Sequence, residues 1–325
     1  MFWKGAVFTK DGFIDQTINL ENCEVNSNFE GDEDGIIVPL FRNCHTHLGD
    51  TLARDSLPKN LNLEQLVGPS GWKHKWLAEN DLNNSIIHGL KEVISSGTGL
   101  VMDFREGGEA GLLLFDELEY PGTVILLGRP KENESLPREN AGISSIADVE
   151  NAKEIAGLAR ERNGLVGIHH SENHREEIEP LLDLHPDFVV HMCHATDNDL
   201  KKIKDAGISV VVCPRSNAYF GNRAPLEKMI SLGLDVGFGT DNGMLCSANM
   251  IDEIRFIKGE FRELSLQSIL SIACFGLDDM FNKDRTSTYS NLSQCGWILL
   301  SRADEDEYES VFSSDSKVLG IRWRN

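Results

Sequence analysis

From Ile36 onward the chain alternates short apolar runs with helix-length stretches, and this rhythm constrains the fold more than any other feature of the sequence. The runs are IIVPLF (36–41, continuing through His47), GLVMDF (99–104), TVILLG (123–128), AGISS (141–145), GLVGIH (164–169), DFVVH (187–191), ISVVVC (208–213) and DVGFG (235–239). Each has the length of a strand buried on both faces and is far too short to span a membrane. The stretches between them read as helices over 82–95, 147–162, 175–184, 197–206 and 225–232. Asp81 and Asp197 stand where an N-cap carboxylate accepts from free backbone N–H groups, and Gly207 and Gly233 where helices stop. Eight strands with intervening helices over 36–286 match the ~250 residues of a (β/α)8 barrel of the TIM type. Residues 1–35 and 287–325 break the rhythm. Their β-like text (WKGAVFT, QTINL, CGWILLS, VLGIRW) predicts a small β-sandwich-like subdomain formed by the two chain ends.

Composition narrows the partners. Across 325 residues, 31 Lys and Arg against 52 Asp and Glu leave a net charge of −21. Such a chain lacks the basic face that a phosphate backbone or an anionic membrane surface requires, so neither nucleic acid nor membrane is an expected partner. The N-terminal MFWKGAVFTKDGF has no long apolar segment ahead of a small-residue cleavage site. Cys23, Cys44, Cys193, Cys213, Cys246, Cys274 and Cys295 are scattered with no C-x-x-C pair, the usage of reduced thiols rather than of a disulfide framework or zinc ribbon. A cytoplasmic protein is the expectation. Because homo-oligomers are common among soluble enzymes, a homodimer is its default assembly.

The chemistry-bearing residues fall at the C-terminal ends of the expected strands, the rim on which barrels of this class build their sites. Asn43-Cys44-His45-Thr46-His47 puts two imidazoles at i and i+2, on one face of a strand and within reach of one ion. Alone, such a pair is as readily two turn histidines. On the fifth strand Val166 and Ile168 suit the outer, helix-packed face, which leaves His169 pointing into the barrel and Glu172 just past the strand end, where a carboxylate can transfer protons. His170 and His174 read as helix-facing or surface residues. On the sixth strand the same parity argument sends His191 inward and leaves His194 in the following loop; by itself His191 would be a hydrogen-bonded core histidine. The eighth strand puts Gly237, Gly239 and Asp241 on the inner face, the glycines leaving room for a ligand and Asp241 serving as ligand or general base. A lone GTDN is equally an Asx-type turn. It is the arrival of all these groups on one rim that points to a site. Neutral imidazoles and a carboxylate on one rim suit a divalent ion, zinc first and iron or manganese next. One coordination position stays open for a water whose pKa such an ion lowers from 15.7 to roughly 7.

This ordered set resembles the amidohydrolase superfamily, and within it the branch of cytosine, guanine and S-adenosylhomocysteine deaminases and of chlorohydrolases. Similar text runs through nearly the whole chain: VPLFRNCHTHLGD, a loop bearing Trp72 and Trp76, SSGTGLVMDF, GIHHSE, VVHMCHATDNDL and VCPRSNAYFGNRAPLEKMISLGLDVGFGTDN. The resemblance implies His45, His47, His169 and Asp241 as metal ligands, Glu172 as the proton-shuttling acid and His191 as the histidine that orients nucleophile or substrate. Two departures stand out. Binuclear members hold a carboxylated lysine on strand four, whereas AGISS has none and Lys131 lies too early, so one ion is expected rather than two. The chain is also shorter than typical deaminases of this branch, with PLFRN where PGFVN is commoner.

The activity so implied is metal-dependent hydrolysis of a C–N bond, with deamination of an amino-heterocycle (purine, pyrimidine or related) as the leading form. A hydroxide formed at the metal attacks the sp² carbon, Asp241 takes the proton, Glu172 protonates the ring nitrogen and His191 donates to the developing oxyanion. The alternatives are a cyclic amide hydrolase, a chlorohydrolase-type enzyme, a barrel that has lost catalysis and serves as a binding protein, and a structural zinc protein. The last would be closed and thiolate-rich. Glu172 and His191, not needed to hold an ion, argue against both non-enzymes. For a small-molecule substrate, Arg105 and Arg129 are placed to reach an anionic group, Ser216 and Asn217 lie at the mouth of the seventh strand, and Trp72 and Trp76 could cover an aromatic ring. Salt bridging by the arginines and loop packing by the tryptophans are the plainer expectations.

Overall fold

Asp11-Gly12, the first turn signal in the chain, closes a hairpin between β1 (Phe2–Thr9) and β2 (Gly12–Asn19), with Gly12 at a φ of 116° that a side chain would resist. The structure is a computed structural model that describes residues 2–19, 24–26, 34–130, 134–283 and 296–323. β3 (Glu24–Asn26) adds antiparallel to β2, and β4 (Asp34–Pro39) adds parallel to β1. The run 36–47, which reads as a single strand, is therefore two. Pro39 has no N–H with which to continue a ladder, and Leu40 separates β4 from the first barrel strand. A boundary drawn between residues 35 and 36 cuts through β4. The opposite boundary, at 286/287, lies outside the described residues, as do Lys131, Cys23 and Cys295.

The barrel strands follow in chain order: β5 (Phe41–His47), β6 (Thr98–Arg105), β7 (Thr123–Gly128), β8 (Ala141–Ile143), β9 (Val166–His170), β10 (Phe188–His191), β11 (Ser209–Val212) and β12 (Val236–Phe238). Every neighbouring pair is parallel, and each strand lies beside the next in sequence. The ring closes through a two-residue continuation of the eighth strand, β13 (Asp241–Asn242), which pairs with Thr46 and His47 of β5. At the C-terminal end of the chain, β14 (Gly296–Leu300) and β15 (Val318–Trp323) return to the first sheet, giving the order β15-β14-β4-β1-β2-β3. The two chain ends thus form a separate sheet, as the sequence suggests; among the described residues it is one six-stranded sheet.

Side-chain alternation sorts the core. Cys44, Leu100, Met102, Phe104, Leu165, Phe188, Val190 and Val211 fill the barrel interior, while Val166, Ile168, Val189, Val210, Val212, Val236 and Phe238 face the helices. The terminal sheet does the same: Ala6, Phe8, Ile36, Val38, Ile298 and Leu300 join the main core, and Trp3, Val7, Ile18, Ile37 and Leu299 pack together on the other face. Between β5 and β6 lie a 3-10 segment (Leu48–Ser56), α1 (Leu63–Val67), α2 (Trp72–Glu79) and α3 (Leu82–Ser95). Asp81 caps α3 as expected, its carboxylate accepting from Asn83 N and Asn84 N. One residue earlier than expected, Thr196 rather than Asp197 caps the helix Asp197–Asp205, in a reciprocal box with Asp199. The helix read over 147–162 forms only as Ala152–Glu161, after a short 3-10 turn at Ile146–Asp148. Gly207 and Gly233 do sit past helix ends, at φ of 65° and 68°. No helix among the described residues is long and apolar enough to cross a membrane.

Candidate active site

Strict alternation along β5 would not deliver His45 and His47 to the same cavity as the inward-facing Cys44. A bulge does. Asn43 stands opposite Val101 and Thr46 opposite Asp103, so β5 spends one residue more than β6 over that interval. Bulges re-aim side chains in this way next to active sites. Asn43 itself pins the closing strand: its Oδ1 accepts from Thr240 N at 3.0 Å and its Nδ2 donates to Thr240 Oγ1 at 2.8 Å. The pairing of Asp241 with Thr46 then sets the carboxylate between the two histidines.

His45, His47, His169 and Asp241 each offer a ligand atom, all within 4.8 Å of one another. His45 Nε2 is 3.2 Å from Asp241 Oδ1 and 3.1 Å from His169 Nε2, and His47 Nε2 is 3.5 Å from the same Asp241 oxygen. Ligands at about 2.0–2.1 Å in a tetrahedral array stand about 3.3 Å apart, so these spacings are those of donors around a common point. The outer partners fix the tautomers. His47 Nδ1–H donates to Glu106 Oε1 at 2.7 Å and His169 Nδ1–H donates to Ile143 O at 3.2 Å, leaving each Nε2 as a bare lone pair. A lone pair facing a carboxylate oxygen in a buried site is repulsive unless a cation lies between them, and the four residues therefore fit a divalent ion. Burial, the Lys73 charge and other factors lower His47 to about 3 against the pull of Glu106, and burial with the facing histidines holds His169 well below its usual value, so both rings are neutral. Burial alone would raise Asp241, but the hydrogen bond to His45 and the surrounding imidazoles hold it well below the carboxylate range.

Beside this cluster stands a second pair. Glu172 Oε2 lies 3.5 Å from His191 Nε2, and both lie close to Asp241. Burial, then the charges of Asp241 and Glu176, push Glu172 well above the usual carboxylate range. Asn217 Nδ2 donates to His191 Nδ1 at 3.0 Å, which puts the ring proton on Nε2, facing Glu172. Burial chiefly keeps His191 at about 4. Parity does not bring His191 here. Phe188 and Val190 are the inward residues of β10, so His191 would point outward with Val189; a left-handed φ of 77° turns it into the site. Ser171, Met192 and Asp241 share that unusual backbone, at φ of 51°, 52° and 60°. Non-glycine residues in this region cost about 1–3 kcal/mol each and cluster where strained geometry is functional.

A cavity of about 200 Å³ opens onto these groups, lined by Leu63, Glu64, Val67, Gly68, Lys73, Arg129, Ser144, Ser145, His174 and Glu176 besides the residues already named. The candidate substrate contacts divide accordingly. Arg129 lines the cavity. Arg105 does not: it is fully buried, 2.8 Å from Glu106 and 3.3 Å from Asp103, because a guanidinium taken out of water needs carboxylates around it. Trp72 and Trp76 pack with Leu57, Leu66 and Met244, since the face of α2 turned toward the barrel is that of Lys73 and Leu77. Ser216 and Asn217 are buried behind the site, where Ser216 Oγ donates to Asp241 Oδ2 and Asn217 holds His191. His170, expected to face the helices or the surface, also lines the cavity, with Nε2 donating to Glu177 O at 3.3 Å. Sequence reasoning missed Lys73 and Glu106. Glu106 directly follows β6, so the rule that located the other groups at strand ends would have found it.

The profile of the amidohydrolase family matches residues 141–285, the stretch holding His169, Glu172, His191 and Asp241. A putative aminohydrolase from Archaeoglobus fulgidus is 31% identical over 325 aligned positions, covering 95% of this chain and 96% of that protein. The chain belongs to the amidohydrolase family. This amidohydrolase is also 26% identical to a 5-methylthioadenosine/S-adenosylhomocysteine deaminase from Haloarcula marismortui, over 68% of the chain and 61% of that relative. An adenosine deaminase from Xanthomonas campestris, solved with bound zinc, has the same fold at a TM-score of 0.72 and 14% identity, covering 99% of this chain and 91% of that one. Members of the family are metal-dependent hydrolases, in keeping with the His and Asp cluster.

Proposed function

We propose that this amidohydrolase hydrolyses an exocyclic amino group from a small heterocycle, with water adding to the ring carbon and ammonia leaving. The observation that carries the reading is the separation of two sets of groups. His45, His47, His169 and Asp241 suffice to hold an ion, whereas Glu172 and His191 stand on the cavity wall beside them, Glu172 buried enough to hold a proton and His191 presenting an N–H, so that both are placed for proton transfer even though they share Asp241 with the ligand set. We assign zinc to the cluster: three imidazoles and one carboxylate suit it, and the adenosine deaminase relative carries it. When bound, such an ion supplies Lewis acidity that makes water a nucleophile near neutral pH.

The chain's own residues do the rest. Ser216 holds one oxygen of Asp241, leaving the other turned toward His45 and His47, where it can accept the proton of the attacking water. The protonated Glu172 gives its proton to the ring nitrogen next to the carbon under attack; the proton taken up by Asp241 then passes to the departing amine, which leaves as ammonia, and the remaining hydroxyl proton returns to Glu172 as the carbonyl forms. His191 presents Nε2–H toward the developing charge. The cavity's roughly 200 Å³ is below the ~300–1,000 Å³ of drug-sized ligand sites and favours a single heterocycle over a large conjugate. The free cysteines among the described residues fit a reducing cytoplasm.

The test is metal analysis followed by an ammonia-release screen over amino-purines, amino-pyrimidines and pterins. One ion per chain and ammonia from at least one of these supports the proposal. Ring opening of a cyclic amide with no ammonia from any amino-heterocycle overturns it.

A further inference from the structure

Just outside the ligand cluster stands Glu106, a buried carboxylate with three nitrogen-bearing side chains against one of its oxygens. Its Oε1 accepts from His47 Nδ1 at 2.7 Å and from Arg129 Nη1 at 3.2 Å and forms an ion pair with Lys73 Nζ at 2.7 Å, while Oε2 accepts from Arg105 Nη2 at 2.8 Å. Lys73 comes from α2 and is only 3% exposed. Its ammonium also donates to Asn242 Oδ1 at 2.7 Å and stands 3.3 Å from Asp50 Oδ2. A segment that only covered apolar surface would place leucine or methionine there, because an ammonium taken out of water is costly unless fully paired. The same segment forms one wall of the cavity through Leu63, Glu64, Val67 and Gly68. One side chain thus joins this wall of the cavity to the carboxylate that orients His47.

We propose that Glu106 is a positioning residue for His47 and that Lys73 couples the α1–α2 wall to the metal centre, so that loading the ion orders the wall. The proposal rests on reading His45, His47, His169 and Asp241 as the metal site. Glu106 fixes the Nδ1–H of His47 and thereby aims Nε2 at the ion. Lys73 clamps Glu106 from the wall side, and Asn242, adjacent to Asp241, clamps Lys73 in turn. Coupling of this kind is reciprocal: if an ordered wall favours the ion, the ion favours an ordered wall to the same degree.

The experiment titrates zinc into metal-free protein by chelator competition and follows hydrogen exchange of residues 62–79 with and without zinc. Glu106→Ala weakens zinc about 10–100-fold, the usual effect of removing an outer partner of a ligating histidine, and Glu106→Gln, which still accepts from His47, recovers most of it. The absorption spectrum of the cobalt-substituted protein changes in Glu106→Ala, a readout that general destabilisation does not move. Lys73→Met still binds zinc but loses the zinc-induced protection of 62–79, and Lys73→Arg regains part of it. Glu92→Gln, which removes a carboxylate paired with Arg54 away from the ligands, binds zinc as the wild type does. Should Lys73→Met fail to fold, a comparison of Lys73→Arg with the wild type decides the same point. Unchanged zinc affinity in Glu106→Ala, or equal zinc-induced protection in the wild type and the Lys73 variants, overturns the proposal. Failure of the metal reading looks different: the wild type itself binds no zinc.

Discussion

Gly239→Ala is a single-methyl test of how tightly the barrel closure holds the metal centre. A Cβ at residue 239 would lie 2.8 Å from both His45 Cβ and His45 O and 2.9 Å from His45 N. Ordinary contact begins near 3.4 Å, so His45 or the eighth strand must give by about 0.6 Å. Neither is free to do so. His45 lies in β5, which is paired on both sides, and Gly239 N donates to Val212 O at 3.0 Å. Overpacking of this kind costs about 1–3 kcal/mol. The displacement also exceeds the ~0.2 Å tolerance of metal–ligand distances, so zinc affinity falls at least about tenfold. Urea denaturation of the metal-free protein reads the first effect and chelator competition the second. Gly157→Ala is the matched comparison: Gly157 lies inside the helix Ala152–Glu161, an added Cβ there meets nothing within 4 Å, and the variant gains about 0.5–1 kcal/mol with zinc binding untouched. Wild-type stability and zinc affinity in Gly239→Ala would show that the first and eighth strands are not as tightly apposed as described.

His169→Ala loses bound metal by elemental analysis, whereas Glu172→Gln retains it and loses about 10²–10⁴-fold in turnover; equal metal loss in both would merge the two roles. Asn217→Leu frees the His191 tautomer and lowers kcat about tenfold or more with little change in bound metal, as steady-state kinetics and metal analysis will show. Thr196→Ala, by removing a capping box, destabilises by about 1 kcal/mol in urea without altering activity. The metal-free protein also weakens in acid. His47 and His191 have folded values of about 3 and about 4, below the unfolded value near 6.5, so between those limits the unfolded chain holds the extra protons and stability falls as pH falls. Each histidine contributes about 1.4 kcal/mol per pH unit over that window, and denaturation of the apo form at pH 7.5 and 5.5 measures it; no loss on acidification refutes the neutral assignment.

The repeating strand and helix text was enough to give the barrel, because strands buried on both faces leave continuous apolar runs. It also placed His169 correctly, since Val166 and Ile168 are the outward residues of β9. Backbone devices were less legible. His191 reaches the site through a left-handed φ, against the parity argument that nominated it, and His45 and His47 do so through a bulge that no residue in FRNCHTH announces. The split at Leu40 leaves no mark in the sequence because IIVPLF is uniformly apolar across two strands that belong to different sheets. In the segment bearing Trp72 and Trp76 it is Lys73 that turns inward, an orientation set by tertiary pairing with Glu106 rather than by local pattern.

His45 and Asp241 are 196 residues apart in the chain and meet only when the last strand docks on the first. At about 5–20 residues per second, translation leaves roughly 10–40 s between the synthesis of the first imidazole and that of the carboxylate. During that interval a ribosome-bound chain can offer an ion no more than a partial grip. A complete grip therefore waits on closure of the ring, and the order in which the strands are made sets the earliest moment at which an ion can be held.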